Sequence, residues 1–193
     1  MSDAMAQPST AWLFPGQGSQ SVGMGKALYE EHAEVRQLFD TADLILGYSL
    51  SELCFSGPAD DLQQTNNAQP ALLVTELAHL AALRLRYPER FTRPDFVAGH
   101  SLGEYTALVV AGAISFEGAL VLVAERGRLM QAAGSTQQGP TGMSAVIGLP
   151  DGELQEVCRK AGVDLANINA PGQVVISGPI EALEQAAVLA KEH

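Results

Sequence analysis

The chain has 193 residues, of which 47% are hydrophobic and 17% charged, the composition of an ordinary globular protein. Its net charge of −11 argues against nucleic acid and anionic membrane surfaces as partners, because both need a positive field. We find no apolar run long enough to cross a bilayer, and the polar start MSDAMAQPST is unlike a secretory signal. Cys54 and Cys158 have no metal-ligand spacing, which favours two reduced thiols in a cytoplasmic protein.

The chain begins with a short strand and a glycine-rich loop. The apolar run at residues 11–14 predicts a buried strand that ends at Pro15-Gly16, where the loop PGQGSQSVGMG begins. Amphipathic patterns then predict helices over residues 26–48, with a break at Gly47, and near residues 51–55. A long helix is predicted over residues 69–87.

A second strand–helix unit follows. Residues 95–99 predict a strand and residues 102–112 a helix, and Ser115 is a natural N-cap for a helix that runs to about residue 133. Strand–loop–helix units in this order favour a parallel sheet covered on both faces. The first part of the chain, residues 1–133, is therefore predicted to be one large α/β core.

The composition changes at residues 134–142, GSTQQGPTG, which by content predict a flexible linker. The pattern afterwards is strand 143–148, helix 150–161, strands 163–168 and 174–177, and helix 180–192. This order is one strand short of a split βαβ, ferredoxin-like unit. Residues 134–193 are therefore predicted to form an incomplete, small ferredoxin-like subdomain.

The sequence Gly99-His100-Ser101-Leu102-Gly103 matches the G-x-S-x-G pattern of a nucleophile elbow. A serine at the tip of a sharp strand-to-helix turn needs small neighbours, because the strand and the helix approach closely there. The N-terminus of the following helix favours negative charge developing near the serine. These features predict Ser101 as a catalytic nucleophile; an ordinary turn rich in small residues is the alternative.

A catalytic serine needs a base, and no histidine is a convincing one. His100 adjoins Ser101, but neighbours in a sharp turn point their side chains apart. His32 and His79 fall on helices well before the elbow, and His193 is the last residue. Either the elbow is not catalytic, or the base lies in sequence that this chain does not contain.

Two motifs together carry a family resemblance. The segment Phe14-Pro15-Gly16-Gln17-Gly18-Ser19-Gln20 and the elbow in the form GHSLGEY resemble the malonyl-CoA:acyl carrier protein transacylases of fatty-acid synthesis. Three further segments fit the same family in the same order: QPAL at 69–72, ERGRLM at 125–130 and NAPGQVVISG at 169–178. The match extends over nearly the whole chain from Ala11 onward.

The resemblance implies a role for each motif. Ser101 would carry the acyl group as an ester, and the backbone amides of Gln17 and Leu102 would form the oxyanion hole. A glycine-flanked loop after a strand can present the amide of Gln17 to a ligand, but a purely structural turn remains the alternative from the pattern alone.

The resemblance also assigns the substrate pocket, in which Arg126 would grip the free carboxylate of malonate and Gln69 and Asn169 would line the walls. An arginine on an apolar helix face is costly unless it meets an anion, and its planar fork suits a carboxylate. Apolar residues occupy the positions one turn before and after it: Leu122, Val123, Leu129 and Met130. The alternative is a structural pair with a buried acid; Arg128, in more polar surroundings, is predicted to lie at the surface.

The implied fold is α/β, with an incomplete α/β-hydrolase-like parallel-sheet core and a ferredoxin-like lobe lacking its last strand. Members of the family continue past the point that corresponds to His193 and carry the catalytic histidine and a substrate-choice motif there. We therefore expect this chain to be C-terminally truncated, and a preference for malonyl rests on Arg126.

The implied activity is transfer of a malonyl group from coenzyme A to the phosphopantetheine thiol of acyl carrier protein, without a metal or bound cofactor. Three alternatives remain. A stand-alone acyltransferase of polyketide assembly would share every motif. A serine esterase or lipase would not need a carboxylate clamp. The chain can also be an inactive truncated fragment.

Overall fold

The computed structural model describes residues 9–91, 93–136 and 139–192, so the N-terminal segment 1–8 and His193 lie outside the described residues. The chain forms two compact units, one that ends at Gln131 and one that begins at Ala132. The first unit contains, in chain order, β1 (Ala11–Phe14), α1 (Lys26–Glu31), α2 (Ala33–Leu46), α3 (Leu50–Ser56), α4 (Ala59–Gln63), α5 (Thr65–Arg86), β2 (Phe96–Gly99), α6 (Gly103–Val110) and most of α7 (Phe116–Gly134).

Strands β1 and β2 pair in parallel, as the strand–loop–helix order predicts, with Phe14 opposite Gly99. The side chains of Leu13 and Phe96 are 75% and 65% exposed, so the expectation of a buried first strand and of a sheet covered on both faces is wrong for the described residues. A parallel sheet excludes water only where other elements cover its faces, and no described element covers these two side chains. The pairing nevertheless brings the loops after both strands to the same end of the sheet.

Helix α5 is the centre of the first unit. Helices α1, α2, α3, α4 and α6 all contact it, so it is buried on most sides. It begins at Thr65, four residues before the predicted start, and Pro70 lies inside it. Pro70 is the sixth residue of α5, so it removes the hydrogen bond that its amide would donate to the carbonyl of Asn66; the packing of the surrounding helices offsets this cost.

One further helix boundary differs from the prediction, and two agree with it. The segment predicted as one helix up to Gly47 divides at His32, whose extended backbone (φ −118°, ψ 125°) separates α1 from α2. Gly47 ends α2 in the left-handed conformation, as a glycine C-cap does. Ser115 is confirmed as the N-cap of α7, since its Oγ accepts a hydrogen bond from the amide of Gly118 at 3.1 Å. The five-residue α4 was not predicted.

From its second strand onward, the second unit has the predicted strand–helix–strand–strand–helix order; the two-residue first strand was not predicted. Its elements are β3 (Ser135–Thr136), β4 (Gly139–Ile147), α8 (Asp151–Ala161), β5 (Asp164–Ala170), β6 (Gln173–Pro179) and α9 (Ile180–Lys191). The strands form an antiparallel sheet in the order β3-β4-β6-β5. Buried side chains of both helices and of β6 form its core, among them Leu154, Val157, Val174, Ile176 and Leu183.

The predicted flexible linker is wrong for the residues that the structure describes. Ser135 and Thr136 pair with Pro140 and Gly139 in antiparallel register, and β4 continues without a break from Gly139. The φ of Gly139 is +107°, a conformation that favours glycine, so this glycine serves a chain reversal. Residues 137 and 138 of the predicted linker lie outside the described part.

A substitution at Gly103 tests the packing that holds β1 against α6. A Cβ built on Gly103 would lie 2.2 Å from the carbonyl oxygen of Phe14, which is backbone and cannot swing away. We expect Gly103→Ala to lower the free energy of unfolding by roughly 3 kcal/mol, a typical cost of overpacking. Urea unfolding followed by the fluorescence of Trp12, the single tryptophan, reports this unit. Gly152→Ala, where an added Cβ meets nothing within 4 Å, should leave that transition unchanged.

A second prediction concerns an acid in the first unit. Glu76 lies on α5 at an open cavity of about 930 Å³, with Thr75 and His79 also on its wall. Burial raises the pKa of Glu76 from 4.5 to about 7, against the opposing effect of the hydrogen bond from Thr106. Because the folded pKa lies above the unfolded one, the stabilisation by the protonated acid is complete below pH 4.5 and is lost as the pH rises through 7.

The neutral variant Glu76→Gln should therefore be more stable than the parent chain at pH 8, by about 2 kcal/mol after a discount for its partial exposure. Below about pH 4.5 the difference should vanish. Urea unfolding of both chains between pH 4 and pH 9 measures it, with the exposed Glu89→Gln as the control for loss of one charge. If the stability difference between Glu76→Gln and the parent chain did not change with pH, the raised pKa of Glu76 would be contradicted.

Candidate active site

The elbow has the geometry that its sequence predicts. Ser101 has a φ of 53°, the sole positive φ of a non-glycine residue within the described parts of the chain. A strained backbone of this kind persists only where the surrounding structure enforces it, and it concentrates at functional sites. A Cβ on Gly99 would lie 1.9 Å from the carbonyl carbon of Gly103, so the strand and helix meet here with no room for a side chain.

The loop after β1 lies against the elbow. A Cβ on Gly16 would lie 2.8 Å from the carbonyl oxygen of His100, so the backbones of the two segments are in contact. Leu102 is buried and directly precedes α6. Within the described parts of the chain, the amides of Gln17 and Leu102 donate to no protein acceptor. Two unused donors on adjoining segments beside a serine match the requirement for an oxyanion hole.

Arg126 lies directly at the serine. Its Nη2 donates to the Oγ of Ser101 at 2.9 Å, and its Nη1 donates to the Oε1 of Gln69 at 2.7 Å. The guanidinium carbon lies 5.8 Å from the ring centroid of Tyr105, a cation–π distance. Gln69 is fully buried, and its Nε2 contacts the Sδ of Met130 at 3.2 Å. The structure thus brings Ser101, Arg126 and Gln69 into one hydrogen-bonded group.

The surroundings of Arg126 differ in part from the sequence argument. Leu122, Leu129 and Met130 are half exposed rather than part of a buried apolar face; Val123 is buried. The alternative of a structural ion pair is not observed, because no carboxylate among the described residues lies within ion-pair distance of Arg126.

The neighbouring arginine behaves as a surface residue. Arg128 is exposed and forms two 2.7 Å hydrogen bonds with Glu125, which hold the pKa of that carboxyl below its usual value. Two arginines two positions apart on one helix therefore differ sharply, since one is paired with an acid and the other lies beside the serine.

The described histidines are occupied elsewhere. The ring of His100 lies beside Gly16. His32 approaches Glu31 at 3.7 Å, and the Nδ1 of His79 lies 2.7 Å from the carbonyl oxygen of Thr75. His79 is ten residues beyond Gln69 on α5, about 15 Å along the helix axis. No described histidine is seen to hydrogen-bond to the Oγ of Ser101, whose observed partner is Arg126.

Asn169 lies in β5 of the second unit, where it is exposed, and its role at the site stays a prediction. The sequence argument overlooked three residues: Tyr105, which contacts Arg126, and Thr65 and Gln20, which hydrogen-bond to Gln17 and Gly18 of the glycine-rich loop. Tyr105 and Gln20 stand within the quoted motifs, so their position was a usable signal.

Comparison with known proteins places this arrangement in a family. The acyl transferase domain family matches residues 11–192. The chain belongs to the acyl transferase domain family. A curated relative, the malonyl CoA-acyl carrier protein transacylase of Bacillus subtilis, is 48% identical over 188 residues, which cover 95% of this chain and 57% of the relative. This acyl transferase chain thus spans less than two thirds of the length of that relative.

Solved structures agree on the fold. An acyl carrier protein S-malonyltransferase from Vibrio cholerae is 45% identical with a TM-score of 0.84, over 96% of this chain and 60% of that one. A malonyl-transacylase solved with a type II polyketide acyl carrier protein is 40% identical with a TM-score of 0.85, over the same shares. The fold of the acyl transferase chain is therefore the predicted one, an incomplete parallel-sheet α/β core with an antiparallel α+β lobe.

Two features are absent from the described residues. No group of three or more His, Cys, Asp or Glu side chains there could hold a metal ion. No helix there is both long and apolar enough to span a membrane.

Proposed function

We propose that this chain provides the nucleophile and the carboxylate-recognition site of an acyltransferase that moves malonyl from coenzyme A to acyl carrier protein through an ester on Ser101. One observation carries the proposal. The half-buried guanidinium of Arg126 lies 2.9 Å from the Oγ of Ser101, is held by the neutral amide of Gln69, and has no described carboxylate partner.

An unneutralised guanidinium beside a nucleophile favours a substrate with its own negative charge. Partial burial weakens solvation of the cation, and a carboxylate that accepts two parallel hydrogen bonds from its fork restores the lost interaction. The first turn of α5, which begins at Thr65 and leads to Gln69, adds amide dipoles of the same sign. A malonyl group on Ser101 has its free carboxylate one methylene from the ester carbon, within reach of Arg126.

The acylation step would proceed by addition and elimination. The Oγ of Ser101 bonds to the thioester carbon while its proton passes to a base, and the carbonyl oxygen becomes an oxyanion. We place the base outside the described residues, because no described histidine is seen to contact this oxygen. The carbon–sulfur bond then breaks, the base returns its proton to the sulfur, and coenzyme A leaves as the free thiol. Attack by the phosphopantetheine thiol of the carrier protein reverses these steps.

The oxyanion hole is assigned to the amides of Gln17 and Leu102. Gln17 lies on the loop whose Gly16 contacts the elbow, and Leu102 lies in the elbow itself, directly before α6. Each donor that strengthens its bond as charge develops contributes on the order of 3 kcal/mol to catalysis. Neither this step nor the transfer to the carrier protein needs a metal or a bound cofactor. The buried, free Cys54 and Cys158 support a reducing, cytoplasmic setting.

A polyketide pathway is the second candidate, because one structural relative was solved with a type II polyketide carrier protein. The chemistry at Ser101 would be the same, so the two candidates differ in the carrier protein alone. Comparing transfer to carrier proteins from fatty-acid and polyketide synthesis distinguishes them.

The direct test is loading with radiolabelled malonyl-CoA. We expect label on the protein that survives denaturation, maps to the peptide with Ser101 and passes to added holo-acyl carrier protein. Labelled acetyl-CoA serves as the uncharged competitor. Steady hydrolysis of uncharged esters without transfer would instead support an esterase, and complete absence of acyl-enzyme would support an inactive fragment.

A further inference from the structure

Side-chain hydrogen bonds hold the loop that carries Gln17. The Oγ of Ser19 donates to the carbonyl oxygen of Gly16 at 3.1 Å, and the Nε2 of Gln17 donates to the Oγ1 of Thr65 at 3.2 Å. Both of these hydrogen bonds involve exposed groups. The third side chain that bonds to the loop, Gln20, differs because it is buried.

Gln20 is 6% exposed, among the few buried polar side chains of the described residues. Its Oε1 accepts a hydrogen bond from the amide of Gly18 at 2.8 Å. A backbone N–H can only donate, so this contact fixes which end of the Gln20 amide is the oxygen. The Nε2 is then directed away and donates to the Oε1 of Gln63, at the end of α4, at 2.5 Å.

The backbone at Gly18 is little restricted by its own residue. Gly18 has a φ of +113°, and a Cβ built on it meets nothing within 4 Å, so its Cα faces open space. Because glycine imposes little restriction of its own, a hydrogen bond to the Gln17–Gly18 peptide limits its rotation more than it would beside another residue. The observed hydrogen bond of this peptide is donated by the Gly18 N–H to the Oε1 of Gln20.

We propose that Gln20 is a positioning residue: it fixes the Gln17–Gly18 peptide and, through the single residue Gln17, restricts rotation of the preceding Gly16–Gln17 peptide, whose amide is assigned to the oxyanion hole. The proposal rests on the proposed function, since it assigns that amide to the oxyanion hole. Gln20 does not touch the substrate; it acts through the loop, and its link to Gln63 anchors the loop to the α4–α5 junction.

The first test measures the loop without any need for activity. Hydrogen–deuterium exchange at the Gly18 amide should rise at least about tenfold in Gln20→Ala, because the amide loses its acceptor. Gln20→Glu keeps an oxygen acceptor and should retain the protection. Gln63→Leu removes only the acceptor of the Gln20 Nε2, so it should raise exchange at the Gly18 amide less than Gln20→Ala does. The exposed Gln37→Ala on α2 is the control for a glutamine-to-alanine change.

The second test measures Ser101. Well below the unfolding midpoint, Gln20→Ala should slow acylation on the order of 10- to 100-fold, with no change in the KM for malonyl-CoA and with recovery in Gln20→Glu. A fluorophosphonate probe, which needs the serine and the oxyanion hole but no carboxylate, should show the same order of reactivity. A parent chain that reacts with the probe but not with malonyl-CoA would overturn the proposed function while leaving this ranking measurable. Unchanged Gly18 exchange, or equal slowing in all Gln20 and Gln63 variants, would overturn the positioning role.

Discussion

Ser101→Ala is expected to abolish covalent loading by malonyl-CoA. The variant retains the elbow and the two amides proposed for the oxyanion hole but has no oxygen to form the ester, so no acyl-enzyme can accumulate. Transfer to acyl carrier protein should fall by about 10⁴-fold or more, since removal of a catalytic nucleophile leaves only the contribution of binding and the oxyanion hole. Mass spectrometry of the intact chain after incubation measures the acyl adduct directly.

A matched substitution separates this effect from a general loss of structure. Ser56→Ala removes an exposed serine hydroxyl at the end of α3, in the same unit, and should load as the parent chain does. Ser101→Ala should also remain folded, because its hydroxyl is exposed and alanine adds no bulk. Label retained on the Ser101→Ala chain would place the nucleophile at another residue.

Local patterns in the sequence were sufficient to predict the type and order of most elements. The apolar runs before Pro15 and His100 are strands. As expected, Ser115 caps the start of α7 and Gly47 caps the end of α2. Predictions failed where tertiary context decides. Residues 139–142 resemble a linker in composition, but cross-strand pairing with β3 and β6 makes them part of a sheet. Pro70 is accommodated inside α5 by the helices around it, which no local propensity reveals.

The site could be predicted to the level of its motifs but not of its contacts. The spacing of the elbow predicts Ser101, and the structure shows the positive φ that such a turn requires. The bond from Arg126 to Ser101 joins residues 25 positions apart, and the bond to Gln69 joins residues 57 apart. Contacts of this range depend on how α5, α6 and α7 cross, so a single sequence does not contain them as a local signal. The part played by Gln20 was hidden for the same reason, since its partner Gln63 is far away in sequence.

Arg126→Ala is expected to reduce loading with malonyl-CoA by about 10²- to 10³-fold and to leave loading with acetyl-CoA within a few-fold of the parent chain. The bidentate contact to the carboxylate exists with the diacid alone, so its loss affects one substrate. In the parent chain, acetyl is disfavoured because it leaves a partly buried cation unpaired. Loading rates measured in parallel with labelled malonyl-CoA and acetyl-CoA give the malonyl-to-acetyl ratio, which should fall in Arg126→Ala.

Arg128→Ala provides the control for loss of a positive charge from the same helix. Arg128 is exposed and its guanidinium is already paired with Glu125, so its removal should change neither rate by more than about twofold. An equal fall for malonyl and acetyl in Arg126→Ala would refute selection by charge. It would instead indicate that the bond from Arg126 to Ser101 supports the nucleophile itself.

Gln69→Glu distinguishes these two roles while Arg126 remains in place. A neutral amide at position 69 orients the guanidinium without neutralising it, so its charge remains available to the substrate. A glutamate there would hold the same geometry but would pair with the cation and compete with the malonyl carboxylate. Malonyl loading should then fall at least tenfold through a higher KM, whereas acetyl loading should hold or improve. If Arg126 acted only by supporting Ser101, this variant would keep that support and treat the two substrates alike.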